Sequence, residues 1–136
     1  MFKGFTLILI LSIYVNGADF IQETNSVIDV KHKLQWQDTK AIQGLNEIYK
    51  MSRGYCESLK LDGYDDWRLP TVKELLVLAN SKELQQSFRY LEKKVFWSVE
   101  DDKDDDVNSI CVYSGNGHIS SNDKCDSNYA ICVRSR

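Results

Sequence analysis

The chain has 136 residues, a formal net charge of −3 and a pI near 5.4. Its 43% hydrophobic and 27% charged content is that of a globular chain and excludes a disordered or collagen-like one. The length suits one domain and excludes a multidomain enzyme with its own nucleotide-binding unit; the acidic balance excludes a general nucleic-acid binder, which needs a basic face.

Lys3 supplies one positive charge, Gly4 to Val15 carries none and is rich in Leu and Ile, and the small residues Asn16-Gly17-Ala18 follow. That order predicts a secretory signal peptide over residues 1–18, cleaved after Gly17 or Ala18, and a domain over 19–136. The apolar stretch is shorter than the ~20 residues of a membrane-spanning helix, so the mature chain is not expected to span a membrane. An uncleaved anchor is the competing reading. No Cys follows the cleavage region, which argues against a lipoprotein anchor. The expected location is periplasmic or secreted.

Asp19 to Trp36 alternates loosely and reads as one or two short strands. Ile42, Leu45, Ile48, Tyr55 and Leu59 then mostly fall three or four apart, which predicts one amphipathic helix over Asp38 to Lys60 with an Asp38-Thr39 cap. Gly44 and Gly54 are possible breaks in it. Asp62-Gly63-Tyr64 is a turn signal. Thr71-Val72-Lys73-Glu74 is a capping box, so a second helix starts there and ends near Asn80. Pro70 disfavours an earlier start.

Val95 to Val99 reads as a strand, followed by the acidic stretch Glu100 to Asp106. Asn116-Gly117 between Ser109–Tyr113 and Gly117–Ser120 signals a hairpin. Tyr129 to Arg134 is the last strand. Helices first and a strand meander last give an α+β class: two helices packed on a short-stranded antiparallel sheet.

Cys56, Cys111, Cys125 and Cys132 lie in the exported part, where four thiols favour two disulfides in any of three pairings. A zinc site would want close ligand pairs, and the nearest pair here, Cys125 and Cys132, is too far apart. A catalytic thiol would want a basic or His-rich setting, and the chain has only His32 and His118.

Gly63-Tyr64-Asp65-Asp66-Trp67-Arg68-Leu69-Pro70-Thr71-Val72-Lys73-Glu74-Leu75 resembles the GYxDWRLPTxxEL core of the domain of unknown function 1566 family, also called the Lcl C-terminal domain. Leu34 to Asp38 resembles its LMWQD, and Tyr55 to Leu59 its YCxxL. Phe96-Trp97-Ser98 resembles its (F/Y)WSS, and Ile131 to Arg134 its closing RCVR. The five motifs stand in order over roughly residues 34–134. The resemblance implies a C-type-lectin-like fold with the pairings Cys56–Cys132 and Cys111–Cys125. Within the motif, Trp67, Arg68, Pro70, Thr71 and Glu74 all have structural uses: a core ring, a fork for carboxylates or carbonyls, a helix start and its cap.

The resemblance and the loop chemistry point to a non-catalytic exported module that binds a glycan or a cell-surface or envelope protein. The candidate loop face joins Glu100–Asp106 to Gly115–Cys125, with Trp97, Asn116, His118 and Asn122 as ligand contacts. Trp36 and Trp97 also fit a core role. Calcium is a possible cofactor, held by Asp101, Asp102, Asp104, Asp105, Asp106, Asn122 and Asp123, because it takes six to eight hard oxygens. Asn122-Asp123 before Cys125 is similar to the Trp-Asn-Asp element of sugar-binding lectins, yet Ser121 replaces the Trp and the Glu-Pro-Asn partner is absent. A solvated acidic loop is the plainer alternative. Lys93-Lys94 and Arg134 to Arg136 could form a basic patch for an acidic polymer such as a glycosaminoglycan. A structural or protein-interaction domain of the envelope is the second reading. An enzyme is not expected, since neither His stands in a recognisable nucleophile arrangement with a Ser or Cys; an enzyme of the formylglycine-generating-enzyme-like fold is the least favoured reading.

Overall fold

Two sheets share the chain unevenly, one built from its two ends and one from its middle. The computed structural model describes residues 18–136, so all of the expected signal peptide except Ala18 lies outside the described residues. The first sheet has β1 (Phe20–Gln22), β2 (Ser26–Asp29), β3 (Leu34–Gln37) and β9 (Val133–Ser135), in that order and antiparallel throughout. The second has β4 (Asn46–Glu47), β8 (Asn128–Tyr129), β5 (Val95–Asp101), β6 (Asn108–Tyr113) and β7 (Ile119–Asp123), again in spatial order. Among the described residues four helices complete the fold: α1 (Ala41–Gly44), α2 (Tyr49–Ser58), α3 (Val72–Asn80) and α4 (Lys82–Gln86).

The class is α+β, with corrections to its detail. The single helix expected over 38–60 is broken into α1 and α2. Asn46 and Glu47 are drawn out as β4 by pairing with Tyr129 and Asn128. A helical stripe was present locally, but a distant strand won the backbone between its halves. Asp38 caps nothing. Its buried carboxylate accepts the N–H groups of Arg89 at 2.9 Å and Tyr90 at 3.0 Å. The last strand is also divided: Tyr129 pairs in parallel with Phe96, and Val133 pairs with Trp36 in the other sheet. Ala130, Ile131 and Cys132 carry the chain between the sheets, fully buried. There are therefore two sheets rather than one, and one pairing is parallel.

The second helix begins and ends where the sequence places it. Thr71 Oγ1 accepts the Glu74 N–H at 3.1 Å, and Glu74 Oε1 accepts the Thr71 N–H at 2.9 Å. Leu75 and Leu78 of α3 then enter a core with Val27, Trp36, Ile42, Leu84, Phe96, Val112 and Ile131. Fully burying each such side chain stabilises by about 1.5–3 kcal/mol. A second cluster gathers Tyr49, Trp67, Leu69, Trp97 and Cys111 around the Cys56–Cys132 disulfide. That bridge joins α2 to the segment before β9, with the Cα atoms 5.4 Å apart.

The first sheet is covered on both faces. Val27, Trp36 and Val133 point into the core, while Ser26, Gln35 and Arg134 on the opposite face lie beneath the turn at Asp62-Gly63. Both turn residues take positive φ, 50° and 83°, and Leu61 and Tyr64 exchange backbone hydrogen bonds across them. Glycine suits the second position because φ > 0 costs it nothing. This small hairpin positions the surface described next.

Candidate functional site

The acidic stretch and the hairpin turn do not form one face. In the β6–β7 register Asn108 stands opposite Asp123 and Val112 opposite Ile119, so the acidic loop and the 114–118 turn occupy opposite ends of the hairpin. Four strand steps, about 14 Å, separate these two pairs. Asn116 and His118 are exposed at the turn, where Asn116 Oδ1 accepts the His118 N–H at 2.9 Å. Trp97 is not on the surface at all: it is 0% exposed, and its Nε1 donates to the Glu47 carbonyl at 2.9 Å. Its place is the core.

The acids of the loop spend their oxygens locally. Asp102 Oδ1 accepts from the Asp104 N–H at 2.9 Å and Oδ2 from the Ser121 hydroxyl at 2.5 Å. The Ser121 bond and the Asp104 amide hold the Asp102 carboxyl below its ordinary value. Asp105 accepts the Val107 N–H and Asp123 the Cys125 N–H. Asp101 pairs with Lys124 at 2.8 Å, and Asn122 donates to Asn128 at 3.2 Å. Asp104 and Asp106 are exposed. Among the described residues no three His, Cys, Asp or Glu side chains converge as a group that could hold a metal ion. The calcium set expected from Asp101, Asp102, Asp104, Asp105, Asp106, Asn122 and Asp123 is not drawn together as such a group.

The expected Cys111–Cys125 bridge is also corrected. Cys111 is paired with Ser120, whereas Lys124 donates its N–H to the Val107 carbonyl, so Cys125 lies past the far end of β6. Four strand steps, roughly 13 Å, separate Cys111 from Val107, whose carbonyl holds the Lys124 amide next to Cys125, and a disulfide needs Cα atoms within about 7 Å. Cys111 is a buried thiol, pushed up to about 12 by burial, and Cys125 is exposed. At that value Cys111 carries no useful thiolate at neutral pH.

The motif block is a scaffold. Trp67 is buried, with its Nε1 on the carbonyls of Leu61 and Tyr64. The Pro70 carbonyl accepts the Val99 N–H at 2.8 Å. Arg68 grips Glu74 with two bonds of 2.7 and 2.9 Å and donates to the Ser135 hydroxyl at 2.9 Å. Burial pushes the Glu74 carboxyl up, but the Arg68 bonds and the Thr71 N–H outweigh it and leave it below its ordinary 4.5. A depressed carboxyl stabilises the fold above its unfolded value and stops doing so as the pH falls through the folded value. Glu74→Gln is therefore expected to be less stable than the wild type at neutral pH. The gap should close below pH 4.5, as measured by urea midpoints across that range.

The same scaffold supports a surface that local sequence did not disclose. Arg134 on β9 is only 8% exposed. It holds Asp66 through two bonds of 2.6 and 3.2 Å, donates to Gln35 at 2.8 Å, and lies 3.5 Å from the centre of the Tyr64 ring. Arg134 keeps the Asp66 carboxyl below its ordinary value through these bonds. Gln35 in turn donates to Ser26, and Ser26 to Asp62. Tyr64 stands 44% exposed above this polar layer. One side opens on a depression of about 480 Å³ lined by Val30, Lys33, Tyr64, Arg134 and Arg136. A second depression of about 300 Å³ shares Tyr64 and Arg136 and adds Glu23, Thr24, Ile28, Gln35 and Asp62. The basic patch expected at Arg134 to Arg136 is thus completed by Lys33 from the β2–β3 turn. Lys94 of the other candidate pair lies 3.8 Å from Glu92 and over the Tyr129 ring.

The family model of the Lcl C-terminal domain matches residues 25–134. The chain belongs to this family. No curated protein matches it. Among solved structures, botrocetin matches with a TM-score of 0.50 at 9% identity, covering 88% of this chain and 98% of its own. At that identity the likeness shows the fold alone, and it agrees with the lectin-like architecture expected for an Lcl C-terminal domain. One of the two bridges expected with that architecture, Cys56–Cys132, is formed. No helix among the described residues of this Lcl C-terminal domain is long and apolar enough to cross a membrane.

Proposed function

We propose that this Lcl C-terminal domain is an exported, non-catalytic binding module that takes a glycan or protein ligand at the surface around Tyr64. The observation that carries this reading is the half-exposed Tyr64 ring standing between two depressions, backed by the buried Arg134 and Gln35, with Arg134 tied in turn to the exposed Asp66. An aromatic ring that is apolar on its face and polar at its tip suits a partly wet ligand surface. The buried supports hold it in place before any ligand arrives, which lowers the ordering cost of binding. Export is supported by the leader-like N-terminus and by the Cys56–Cys132 bridge, a feature of oxidising compartments. His32 leans on Asp29 at 2.7 Å and His118 stands on the hairpin turn, so neither histidine lines the depressions around Tyr64.

A glycan array probed with the oxidised protein, in calcium and again in EDTA, tests the reading. Binding that survives EDTA and is lost in Tyr64→Ala is the expected result. Binding abolished by EDTA would return the site to the acidic loop. A blank array in both buffers would move the function to a protein partner of the cell envelope.

A further inference from the structure

The outer edge of the second sheet is open. β7 is its last strand and pairs only with β6, in an unbroken register from Asn108–Asp123 to Val112–Ile119. At the two ends of that ladder the His118 carbonyl accepts the Tyr113 N–H at 2.9 Å, and Lys124 donates its N–H to the Val107 carbonyl at 3.0 Å. Opposed residues of an antiparallel pair alternate between hydrogen-bonded and non-bonded. His118, Ser120, Asn122 and Lys124 therefore turn their backbone groups toward β6, while Ile119 and Ser121 turn theirs outward. Among the described residues no hydrogen bond from another element reaches the backbone N–H or C=O of either. The Asp123 carbonyl, by contrast, is capped by the Asp126 N–H at 2.9 Å. Strand edges are commonly guarded by a Lys, a Pro or a bulge. β7 reads Ile-Ser-Ser-Asn-Asp, carries none of these, and leaves Ile119 48% exposed.

We propose that this edge pairs with the same edge of a second copy of the chain, antiparallel about a two-fold axis at Ser120. The residues themselves choose that register. Centred there, Ile119 lies opposite Ser121 of the second copy, and the two exchange all their free backbone groups in four hydrogen bonds. The two Ile119 side chains become diagonal neighbours on one face, so exposed apolar surface on each copy is covered by the other. No like charges meet: Asp123 falls opposite Gly117, Lys124 opposite Asn116, and His118 opposite Asn122. Centring the pair on Ser121 instead sets each Ile119 against an Asp123 carboxylate. A two-fold interface needs a self-complementary patch, and β7 supplies one, which favours a second copy over an unrelated peptide. The strand offers five residues a side, against roughly 20–30 for a standard interface, so the pair forms reversibly. It uses no residue of the Tyr64 surface, and one pair carries two such surfaces. The inference therefore stands apart from the choice of ligand there.

Sedimentation of the oxidised protein across a concentration series tests the pairing. The mass is expected to rise reversibly from one chain to two. Ile119→Lys, at an exposed position, sets two like charges diagonally across the axis. It should weaken dimerisation about tenfold and leave the thermal melt unchanged. A covalent test is independent of that variant. Ser120→Cys, with Cys111→Ala and Cys125→Ser to remove the free thiols, should give a disulfide-linked dimer when oxidised glutathione is supplied. The non-bonded pair at the axis brings its Cα atoms to about 4.5 Å, within disulfide range. Asn122→Cys with the same two changes should not cross-link, since its twin lies four strand steps away, about 14 Å. A protein that stays monomeric at every concentration overturns the proposal. So does a dimer that Ile119→Lys leaves intact, a Ser120→Cys variant that fails to cross-link, or equal cross-linking through Asn122→Cys. A wild-type dimer held by Cys125 also overturns it, because the two exposed thiols stand at opposite ends of the pair.

Discussion

Replacing Cys56 and Cys132 together by alanine is expected to cost about 4–5 kcal/mol of folding free energy. The bridge spans a sequence separation of 76 residues, and closing so long a loop in the unfolded chain removes a large share of its conformational freedom. A domain of this size has only about 5–15 kcal/mol of net stability, so the loss takes about a third of it or more. The position of the bridge adds to its effect. It ties α2 to the crossing segment between the two sheets, with both sulfurs fully buried beside Trp67 and Trp97. Urea midpoints of the double variant, and of the wild type under reducing agent, should agree with each other and fall well below the oxidised wild type. Cys125→Ser, at an exposed position outside any bridge, should stay within about 0.5 kcal/mol of wild type. A large loss in Cys125→Ser would mean that the second bridge exists after all.

Trp97→Ala is expected to destabilise by about 3–5 kcal/mol, the usual range for truncating a buried Trp. Three losses contribute. The ring is 0% exposed, so its removal leaves a cavity between the sheet and α2. Its edge-to-face packing on Tyr49, at 5.6 Å between centroids and 80° between planes, disappears. The Glu47 carbonyl on β4 also loses the indole N–H that it accepts. The measurement is again a urea midpoint, with a thermal melt beside it. A second variant separates core from ligand contact: Trp97→Phe, if folded, should bind any glycan hit with unchanged affinity. Loss of binding in a folded Trp97→Phe would contradict the burial of this ring.

Cys56, Cys132 and Trp97 divide what local sequence carries from what it does not. Cys56 and Cys132 were matched through an ordered set of motifs, and the pairing they implied is formed. The fold implied by the resemblance also suggested Cys111–Cys125, and the β6–β7 register overrides it by placing Cys111 opposite Ser120. Register depends on which faces are buried across the whole sheet, and a spacing between two cysteines carries none of that. Trp97 was readable as an aromatic in a strand, but which side of the strand meets the core was settled by α2 and β4 packing over it. The acidic stretch was read correctly as a charged run. Its turns are self-capping, with Asp102, Asp105 and Asp123 bonded to nearby amides.

Short-range features were determined by the sequence alone. The Thr71–Glu74 capping box, the Asp62-Gly63 turn and the strand at Val95 each depend on residues within a few positions of one another, so local sterics and hydrogen bonding suffice to specify them. The break at Asn46-Glu47, the split of the last strand between two sheets and the Tyr64 surface were decided only by tertiary structure. Lys33, Tyr64, Arg134 and Arg136 come from three distant stretches of chain, and nothing in any one of them announces the others. They meet because β9 returns to pair with β3, and burial of Val133 against Trp36 sets which side of that strand faces outward. That choice is made by the shared core, whose hydrophobic gain no single segment realises on its own.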